Sequence, residues 1–595
     1  MKSSPLLSKS TRVLSLSLAI IPAGLLLILI LKYAVDVPFW DEWQYVSFFE
    51  KFSQGTLSFS DLFAQQNEYR QFFPNLIFVG LGWVTKWDKR YELLVSFGLA
   101  CLVSFNIYRL ERLTVGGSRV RLLTIYFITN LLIFTPVQYY NWLIGMQIVY
   151  FMPIACLTTC LVIAYSRLGA RAKFLLCMCL ATVSTFSSAN GILCWVLVFP
   201  LLRWPNSEET APNKRWLTLA WIAGFVVNAA LYFNSYHKPF GHPDISESLI
   251  HPAKALGYFL VLLGKAVEPG DVSLLSDQFA RGHKVIAAAT GMTLAILFIV
   301  AVLYVRRDVR LKRRVAGWFV LGAYSIMTAI LVTIGRTGFG VDQAFSPRYT
   351  TFTLFLPVAL VNLVPIILDS DMGKGLPIGQ KKKLLQVLGG SVIALHLLIY
   401  PLNIRFMSAF SKVLLQSKAC LLLVNAVEED CLAERVFPSV EYLKRAANGL
   451  DGLGYLRPGL IKRNRVQDFA TMATHAPQDY GALNSVVQTG DGVYSASGWA
   501  VSPDRGDAAD AILLAYDKTD GDSTIFALAY PGAQRGRGGL VARILRTGSP
   551  SEYAGWQRSF SIADLPTNPL VISAWALDAR TGTAVKLPGT QVIQN

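Results

Sequence analysis

The sequence predicts an all-α bundle that crosses a membrane many times, followed by a C-terminal extracytoplasmic β-sandwich. Hydrophobic residues make up 53% of the 595 residues and charged residues only 16%, well below the roughly 25% charged residues of soluble globular domains. The long apolar runs stop near residue 401, and a polar segment with short alternating runs follows. This composition argues against a soluble enzyme, a disordered tail and a fibrous protein.

The predicted spans are apolar segments of about 20 residues, the length that crosses roughly 30 Å of hydrocarbon, except for the short segment 190–202. The first lacks an obvious cleavage site and is longer than a signal-peptide core, so we interpret it as a retained anchor. The stretch 72–84 is ambiguous between a short span and a re-entrant or interfacial helix. We predict about eleven spans, at 13–31, 91–108, 120–136, 147–166, 172–187, 190–202, 216–234, 285–305, 315–335, 349–368 and 384–401.

Basic residues alternate along the chain in a way that predicts the orientation. The six clusters all lie on one side if 72–84 does not cross, and Lys and Arg retained in loops mark the cytoplasmic side. Loops 136–147 and 184–190, which contain no Lys or Arg, then lie outside. The basic clusters are Lys2, Lys9 and Arg12; Arg109, Arg112, Arg119 and Arg121; Arg167, Arg171 and Lys173; Arg203, Lys214 and Arg215; Arg306 through Arg314; and Lys374, Lys381, Lys382 and Lys383.

This orientation places the C-terminal region outside the cytoplasm and fits a bacterial inner membrane with a periplasmic C-terminal domain. The net charge of +17 is explained by topology and by contact with anionic headgroups of the lipid bilayer. We therefore expect no nucleic-acid partner.

Three regions follow from the pattern: a transmembrane domain over 1–401, a helical connector over 402–480 with breaks at Pro438 and 449–454, and a β-sandwich over 481–595. Short alternating runs bounded by turn residues predict the strands of the sandwich. They lie at 492–501, 511–516, 524–530, 556–562, 570–577 and 583–587. Cys420 and Cys431 lie on the oxidising side, and the sequence leaves open whether they pair or stay free.

The first outer loop contains two acidic and aromatic clusters. Asp41 and Glu42 lie between Trp40 and Trp43, soon after the first span, and Glu68 and Arg70 directly precede the apolar stretch 72–84. Interfacial anchoring by the tryptophans, with solvated carboxylates, is one interpretation. A functional site at the outer edge of the bundle is the other.

A third cluster, Arg336 with Arg348 and Tyr349, lies in another outer loop. Arg can grip a phosphate through a bidentate fork. Its anionic partner is either an acidic residue of the first loop or a ligand phosphate, and the sequence leaves both open. Three histidines at uneven spacing in the outer loop 235–283, His237, His242 and His251, are interpreted as ordinary loop residues rather than metal ligands.

These residues resemble the GT-C glycosyltransferases, integral membrane enzymes that take sugars from polyprenyl-phosphate donors. The resemblance rests on Asp41-Glu42, on Glu68-Tyr69-Arg70, on Arg348-Tyr349, and on the many spans with an extracytoplasmic tail. The commoner form of the second element has His before the Arg, where this chain has Tyr69. The β-sandwich lies outside the resemblance.

The resemblance implies sugar transfer from a polyprenyl-phosphate donor to a surface glycan or lipid acceptor, with inversion at the anomeric carbon. Asp41 is the candidate base, helped by Glu42 or Glu68, and no cofactor or metal is expected because Arg supplies the positive charge. Arg70, Arg336 and Arg348 are candidate phosphate ligands, with Tyr349 beside them.

Three alternatives remain open. A flippase or transporter of a lipid-linked sugar would place ionisable residues near the bilayer midplane, often in related halves. A polysaccharide polymerase or ligase would use Arg336 and Arg348 but leave the acidic pair unexplained. A surface-glycan binding protein anchored by its spans ranks last, because so many spans exceed what anchoring needs.

Overall fold

The structure, a computed structural model, describes residues 5–203, 215–267, 277–370, 377–426, 429–471, 480–502, 504–517, 522–532, 554–566 and 570–593. Lys2, Lys214 and Lys374, which belong to three of the basic clusters, lie outside the described residues.

Helices form the first three quarters of the chain. In chain order they are α1 (Pro5–Tyr33), α2 (Val46–Ser53), α3 (Phe59–Phe63), α4 (Phe72–Thr85), α5 (Lys89–Thr114), α6 (Arg119–Ile133), α7 (Tyr139–Leu143), α8 (Ile148–Ala164), α9 (Ala170–Thr185), α10 (Leu193–Arg203), α11 (Arg215–Phe233), α12 (Ser246–Ile250), α13 (Pro252–Gly264), α14 (Asp277–Val305), α15 (Val309–Arg336), α16 (Thr350–Thr353), α17 (Phe355–Leu368), α18 (Ile378–Leu422), α19 (Glu429–Arg435) and α20 (Val440–Gly452).

The helical part has the character of a membrane bundle. Among the described residues, eight helical segments are long and apolar enough to cross a membrane by length and composition. All eleven predicted segments fall on helices, but α9 and α10 have only 16 and 11 residues. The membrane character of the chain is thus supported, and the number of spans stays a prediction.

Loops that carry three of the basic clusters, at 109–121, 167–173 and 306–314, meet at one end of the bundle, here called the basic end. The Tyr165 hydroxyl, after α8, donates to the Arg313 carbonyl oxygen at 3.0 Å. Arg121 at the start of α6 pairs with Asp369 at the end of α17 at 2.8 Å. These contacts join loops far apart in sequence, as the alternation of basic clusters predicts.

At the opposite end, here called the connector end, the first outer loop packs against α19 and α20. The Tyr442 hydroxyl donates to the Trp43 carbonyl oxygen at 2.9 Å, and Phe49 stacks on Tyr455 with ring centroids 5.3 Å apart. Loops that return to this end therefore lie beside the connector.

Helix α4, the ambiguous stretch, has both of its ends at the connector end. Its first turn bonds the carbonyl of Phe186, which follows α9, and its last carbonyl, on Thr85, accepts from Arg457 of the connector at 2.8 Å. Its 14 residues span about 21 Å, less than the roughly 30 Å of a hydrocarbon core. This arrangement favours a re-entrant or interfacial helix over a span.

Helix α18 joins the bundle to the C-terminal region without a break at residue 401. Its 45 residues span about 68 Å, more than twice the thickness of a hydrocarbon core, so its second half projects beyond the bundle. A disulfide between Cys420 and Cys431 ties its end to α19. The pairing that the sequence left open is thus made.

The C-terminal region contains two β-sheets. One has the strand order β3-β10-β9-β6-β7 with β11 paired to β9, and the other has the order β4-β5-β8. The six predicted strands are confirmed as β5 to β10, and β3, β4 and β11 were missed. The bounds, including a small pair in the first outer loop, are β1 (Gln65–Gln66), β2 (Tyr69–Arg70), β3 (Ala470–Thr471), β4 (Gly481–Gly490), β5 (Val493–Ala500), β6 (Ala511–Asp517), β7 (Ser523–Ala529), β8 (Gly555–Ser561), β9 (Leu570–Asp578), β10 (Thr583–Lys586) and β11 (Gln591–Ile593).

Strand β6 is apolar on both faces because both faces are covered. Ile512 and Leu514 lie in a core shared with the second sheet, whereas Leu513 packs against the end of α18 and the connector. The second sheet and the helical region thus lie on opposite sides of the larger sheet. Lys412 of α18 adds a polar attachment, since its ammonium contacts Asp510 at 3.1 Å and Asp507 at 3.0 Å.

Three tryptophans of the C-terminal region, Trp499, Trp556 and Trp575, belong to different clusters. Trp556 is buried in the core between the two sheets. Trp499 and Trp575 are partly buried against two other clusters. This arrangement favours core packing over a shared sugar-stacking platform.

The placement of α4 predicts which loops share a side of the membrane. With Cys101 and Cys179 replaced by alanine, Gln54→Cys before α4 and Lys238→Cys after α11 should react with an impermeant maleimide from the same side. Arg119→Cys, at the basic end, should react only from the other side. Labelling of Gln54→Cys and Lys238→Cys from opposite sides would mean that α4 crosses.

Candidate active site

The two neighbouring carboxylates of the first outer loop point in different directions. They lie in a 3₁₀ helix over Trp40–Tyr45. The Glu42 side chain turns inward, where it accepts the backbone N–H groups of Phe39 at 3.0 Å and Met146 at 2.9 Å. Glu42 is 1% exposed, so its side chain is buried and does not lie at the outer edge of the bundle, where the sequence predicts the functional site.

Glu42 belongs to a buried ion cluster with Lys89 and Glu92 at the start of α5. The Lys89 ammonium contacts Glu42 at 2.9 Å and also Glu92, and the Trp87 indole N–H donates to Glu92 at 2.9 Å. Gly145 packs so closely on Glu92 that a Cβ there would clash. The cluster therefore joins the first outer loop, α5 and the turn before α8.

The backbone before Asp41 is held in an unusual conformation. Trp40 has a φ of +49°, in the left-handed region that bulky L residues rarely adopt. Its N–H donates to the Val436 carbonyl oxygen, just after α19, at 3.3 Å. Together with the hydrogen bonds of Glu42, this bond fixes the direction in which the Asp41 side chain points.

The Asp41 carboxylate has no hydrogen bond or ion pair within the described parts of the chain. It lies within electrostatic reach of Arg348, Arg336 and His242. Burial raises the pKa of Asp41 above its usual value, an effect that the neighbouring Glu42 reinforces and that Arg348 and Arg336 oppose. A half-buried carboxylate without a partner, facing two guanidinium groups, is suited to take up a proton.

Glu68 bridges Arg336 and His242 at the edge of this cluster. One of its carboxylate oxygens accepts from Arg336 at 2.6 Å, and the other contacts His242 Nδ1 at 2.7 Å. Burial and the Arg336 charge lower the pKa of His242, although Glu68 opposes this shift. The neutral imidazole that results donates from Nδ1 to Glu68 and keeps Nε2 as an acceptor.

Arg348 lies among tyrosines at the connector end. Its guanidinium stacks over the Tyr349 ring at 5.2 Å, and its Nε atom is buried without a hydrogen-bond partner in the described region. The Tyr349 hydroxyl accepts a hydrogen bond from Gln343 Nε2 at 3.0 Å, and the side-chain oxygen Oε1 of Gln343 accepts one from the Tyr258 hydroxyl. This chain of hydrogen bonds orders the wall beside Arg348 and leaves guanidinium donors for an anion.

Arg70, a predicted phosphate ligand, bonds to backbone carbonyl oxygens instead. It is 7% exposed, and its guanidinium donates to the backbone carbonyl oxygens of Tyr232 at 2.8 Å, Phe63 at 3.1 Å and Asn234. These bonds hold the small β1–β2 pair against the end of α11. Arg70 therefore positions the neighbouring Glu68 and is not directed toward the other arginines.

Five of the seven candidate residues converge, namely Asp41, Glu68, Arg336, Arg348 and Tyr349. Glu42 and Arg70 support them from behind. Sequence reasoning missed His242, Gln343 and Tyr258, because each comes from a loop or helix whose return to this end is set by packing. The predicted outer location of loop 235–283 indicated that its residues could reach the site. The spacing of its three histidines did not distinguish His242 from the other two.

The comparisons with known proteins leave this cluster without a family assignment. No protein-family model matches the chain, no curated protein matches it, and no solved structure matches it. Its interpretation therefore rests on the geometry of the side chains.

The different surroundings of Asp41 and Glu42 predict opposite effects on stability. Glu42→Gln removes one partner of a buried ion cluster and should destabilise the fold by about 3–5 kcal/mol. Asp41→Asn breaks no contact and should leave stability unchanged. Thermal unfolding of both purified variants in the same detergent checks this, and equal melting temperatures would contradict the division of roles.

Proposed function

We propose that this chain is a membrane glycosyltransferase that moves a sugar from a polyprenyl-phosphate donor to a glycan or lipid acceptor. The observation that carries the proposal is the unpartnered Asp41 carboxylate facing Arg336 and Arg348 at one end of a membrane-type helical bundle. A base and two phosphate-binding cations within reach of each other are what such a transfer needs.

The proposed reaction has one displacement step. Asp41 takes the proton of the acceptor hydroxyl, whose oxygen attacks the anomeric carbon of the sugar. The bond between that carbon and the phosphate oxygen breaks, and polyprenyl phosphate leaves with the electron pair. Attack opposite the leaving group inverts the anomeric carbon.

Positive charge at the departing phosphate comes from the arginines. Arg348, whose guanidinium has a buried Nε without a described partner, is the main candidate ligand for the phosphate. Arg336 is held by Glu68 and contributes mainly as a fixed charge. Tyr349 supports Arg348 by stacking, and the neutral His242 offers Nε2 to a donor or acceptor hydroxyl.

The orientation also belongs to this proposal. The basic end would face the cytoplasm, because Lys and Arg are retained there. The connector end, with Asp41 and the Cys420–Cys431 disulfide, would face the periplasm of a bacterial inner membrane. Polyprenyl-linked sugars would then reach the site from the outer leaflet.

Transport of a lipid-linked sugar is the second candidate, and one observation favours it. Glu111 of α5 is fully buried, accepts from the Thr129 hydroxyl at 3.1 Å, and has a second oxygen without a partner in the described region. Buried ionisable groups within spans often belong to transport pathways. A polymerase or ligase would use Arg336 and Arg348 in the same way but does not require Asp41 beside them.

Mass spectrometry of surface glycans and lipid-linked sugars in a deletion strain tests the proposal. Wild type should restore one glycosyl mass, whereas Asp41→Asn at matched abundance should not, and the polyprenyl-phosphate sugar should accumulate. Loss of a general base costs about 10²–10⁴-fold in rate. The matched carboxylate control is Glu111→Gln.

The two candidates give different results in this experiment. Transfer predicts that Glu111→Gln restores the glycosyl mass and Asp41→Asn does not. Transport predicts the reverse pattern. Full restoration by Asp41→Asn would eliminate Asp41 as the base.

The raised pKa of Asp41 predicts the pH dependence. A base works only when deprotonated, so kcat/KM should fall as the pH drops through the Asp41 pKa, and this limb should lie above the usual value of 3.8. Arg348 lowers that pKa by charge attraction, so Arg348→Gln should move the acidic limb to higher pH. Arg307→Gln at the basic end is the control and should leave the limb in place, and an unmoved limb in Arg348→Gln would contradict the assignment.

A further inference from the structure

A cavity of about 160 Å³ lies between α19 and the strands β7 and β8. It is separate from the cluster around Asp41, and none of the residues that line it takes part in the proposed reaction. Its polar and aromatic lining comes from Asp430, Glu434, Arg435, Tyr530, Gln557 and Arg558.

The helical wall of this cavity is firmly held. The Cys420–Cys431 disulfide joins α19 to the end of α18, and Arg435 donates to the Gln416 side chain at 2.9 Å. Leu432 is fully buried beneath the helix. The cavity therefore has a fixed shape before any ligand enters.

The lining has the chemistry that recognises a sugar ring. The carboxylates of Asp430 and Glu434 have no hydrogen bond or ion pair in the described parts of the chain, so they can accept from sugar hydroxyls. Tyr530 also lines the cavity, and the Arg435 guanidinium lies over its ring at 4.1 Å. The two carboxylates balance the two guanidinium groups, which suits an uncharged ring.

The size fits a single ring. Engineered cavities of about 150 Å³ hold one benzene molecule, so a cavity of about 160 Å³ has room for one six-membered ring. A longer chain would have to continue outside it.

The end of the helix that forms one wall of the cavity is bonded to the residue before the candidate base. Val436, the residue after α19, accepts the Trp40 N–H at 3.3 Å, and Trp40 immediately precedes Asp41. The Trp40 side chain is 40% exposed. A saccharide held beside α19 can therefore extend across Trp40 toward Asp41.

We infer that this cavity binds one sugar ring of the acceptor, and that the acceptor is a glycan chain rather than a lipid. The inference rests on the proposed function in one respect, namely that the rest of the glycan extends toward Asp41. Binding of a sugar ring in the cavity does not require that transfer takes place.

The test measures binding without the donor. Full-length protein in nanodiscs is titrated with the surface polysaccharide purified from the deletion strain, using biolayer interferometry. The variant Asp430→Asn/Glu434→Gln keeps the side-chain shapes, and because both residues are exposed the fold should be unaffected. Glu429→Gln is the matched control, since Glu429 lies on the same helix but pairs with Lys444 at 3.0 Å and does not line the cavity.

We expect wild type and Glu429→Gln to bind the polysaccharide alike and the double variant to bind about tenfold more weakly, because charged hydrogen bonds are lost. Unchanged binding by the double variant, or no binding by wild type, overturns the inference. Cavity-dependent binding together with unaltered glycans in the deletion strain would reject the transferase while leaving the sugar site in place.

Discussion

The buried ion cluster of Glu42, Lys89 and Glu92 is the constraint on which the geometry of the site depends. Burying charges is costly unless each is paired and hydrogen-bonded. Here the ammonium lies between two carboxylates, and the backbone of Phe39 and Met146 supplies further donors to Glu42. This arrangement locks the first outer loop onto the start of α5. Because Glu42 is fixed inward, its neighbour Asp41 is left facing the arginines. Two adjacent acids thus have different surroundings: one is an anchor, and the other is the candidate base of the proposed reaction.

A second constraint is that three loops distant in sequence return to the connector end. Glu68, Arg336 and Arg348 are far apart in the sequence, and they meet because antiparallel helices bring their connections to the same end of the bundle. Loops that carry basic clusters lie at the other end, where Arg121 and Asp369 pair. The candidate site and these basic residues thus lie at opposite ends of the bundle. It also places the connector, through Val436 and Trp40, in direct contact with the candidate site.

Much of this architecture follows from the sequence, because helix length and strand alternation are local properties. The apolar segments and six of the strands were predictable, as were Asp41, Arg336 and Arg348. Strand β4 was missed because the second half of its GALNSVVQTG sequence is exposed and lacks alternation. The inward turn of Glu42 and the bonding of Arg70 to backbone carbonyls depend on contacts between distant segments, which residue type and spacing do not encode.

The most direct test of the central claim follows the donor itself. Lipid extract from the deletion strain, which should contain accumulated polyprenyl-phosphate sugar, is incubated with purified wild-type protein or Asp41→Asn in nanodiscs, together with the polysaccharide from that strain. Mass spectrometry then counts the polyprenyl phosphate released and the sugar transferred. The account predicts one polyprenyl phosphate for each transferred sugar with wild type and almost none with Asp41→Asn. An intact donor with wild type, or equal consumption by Asp41→Asn, would contradict it.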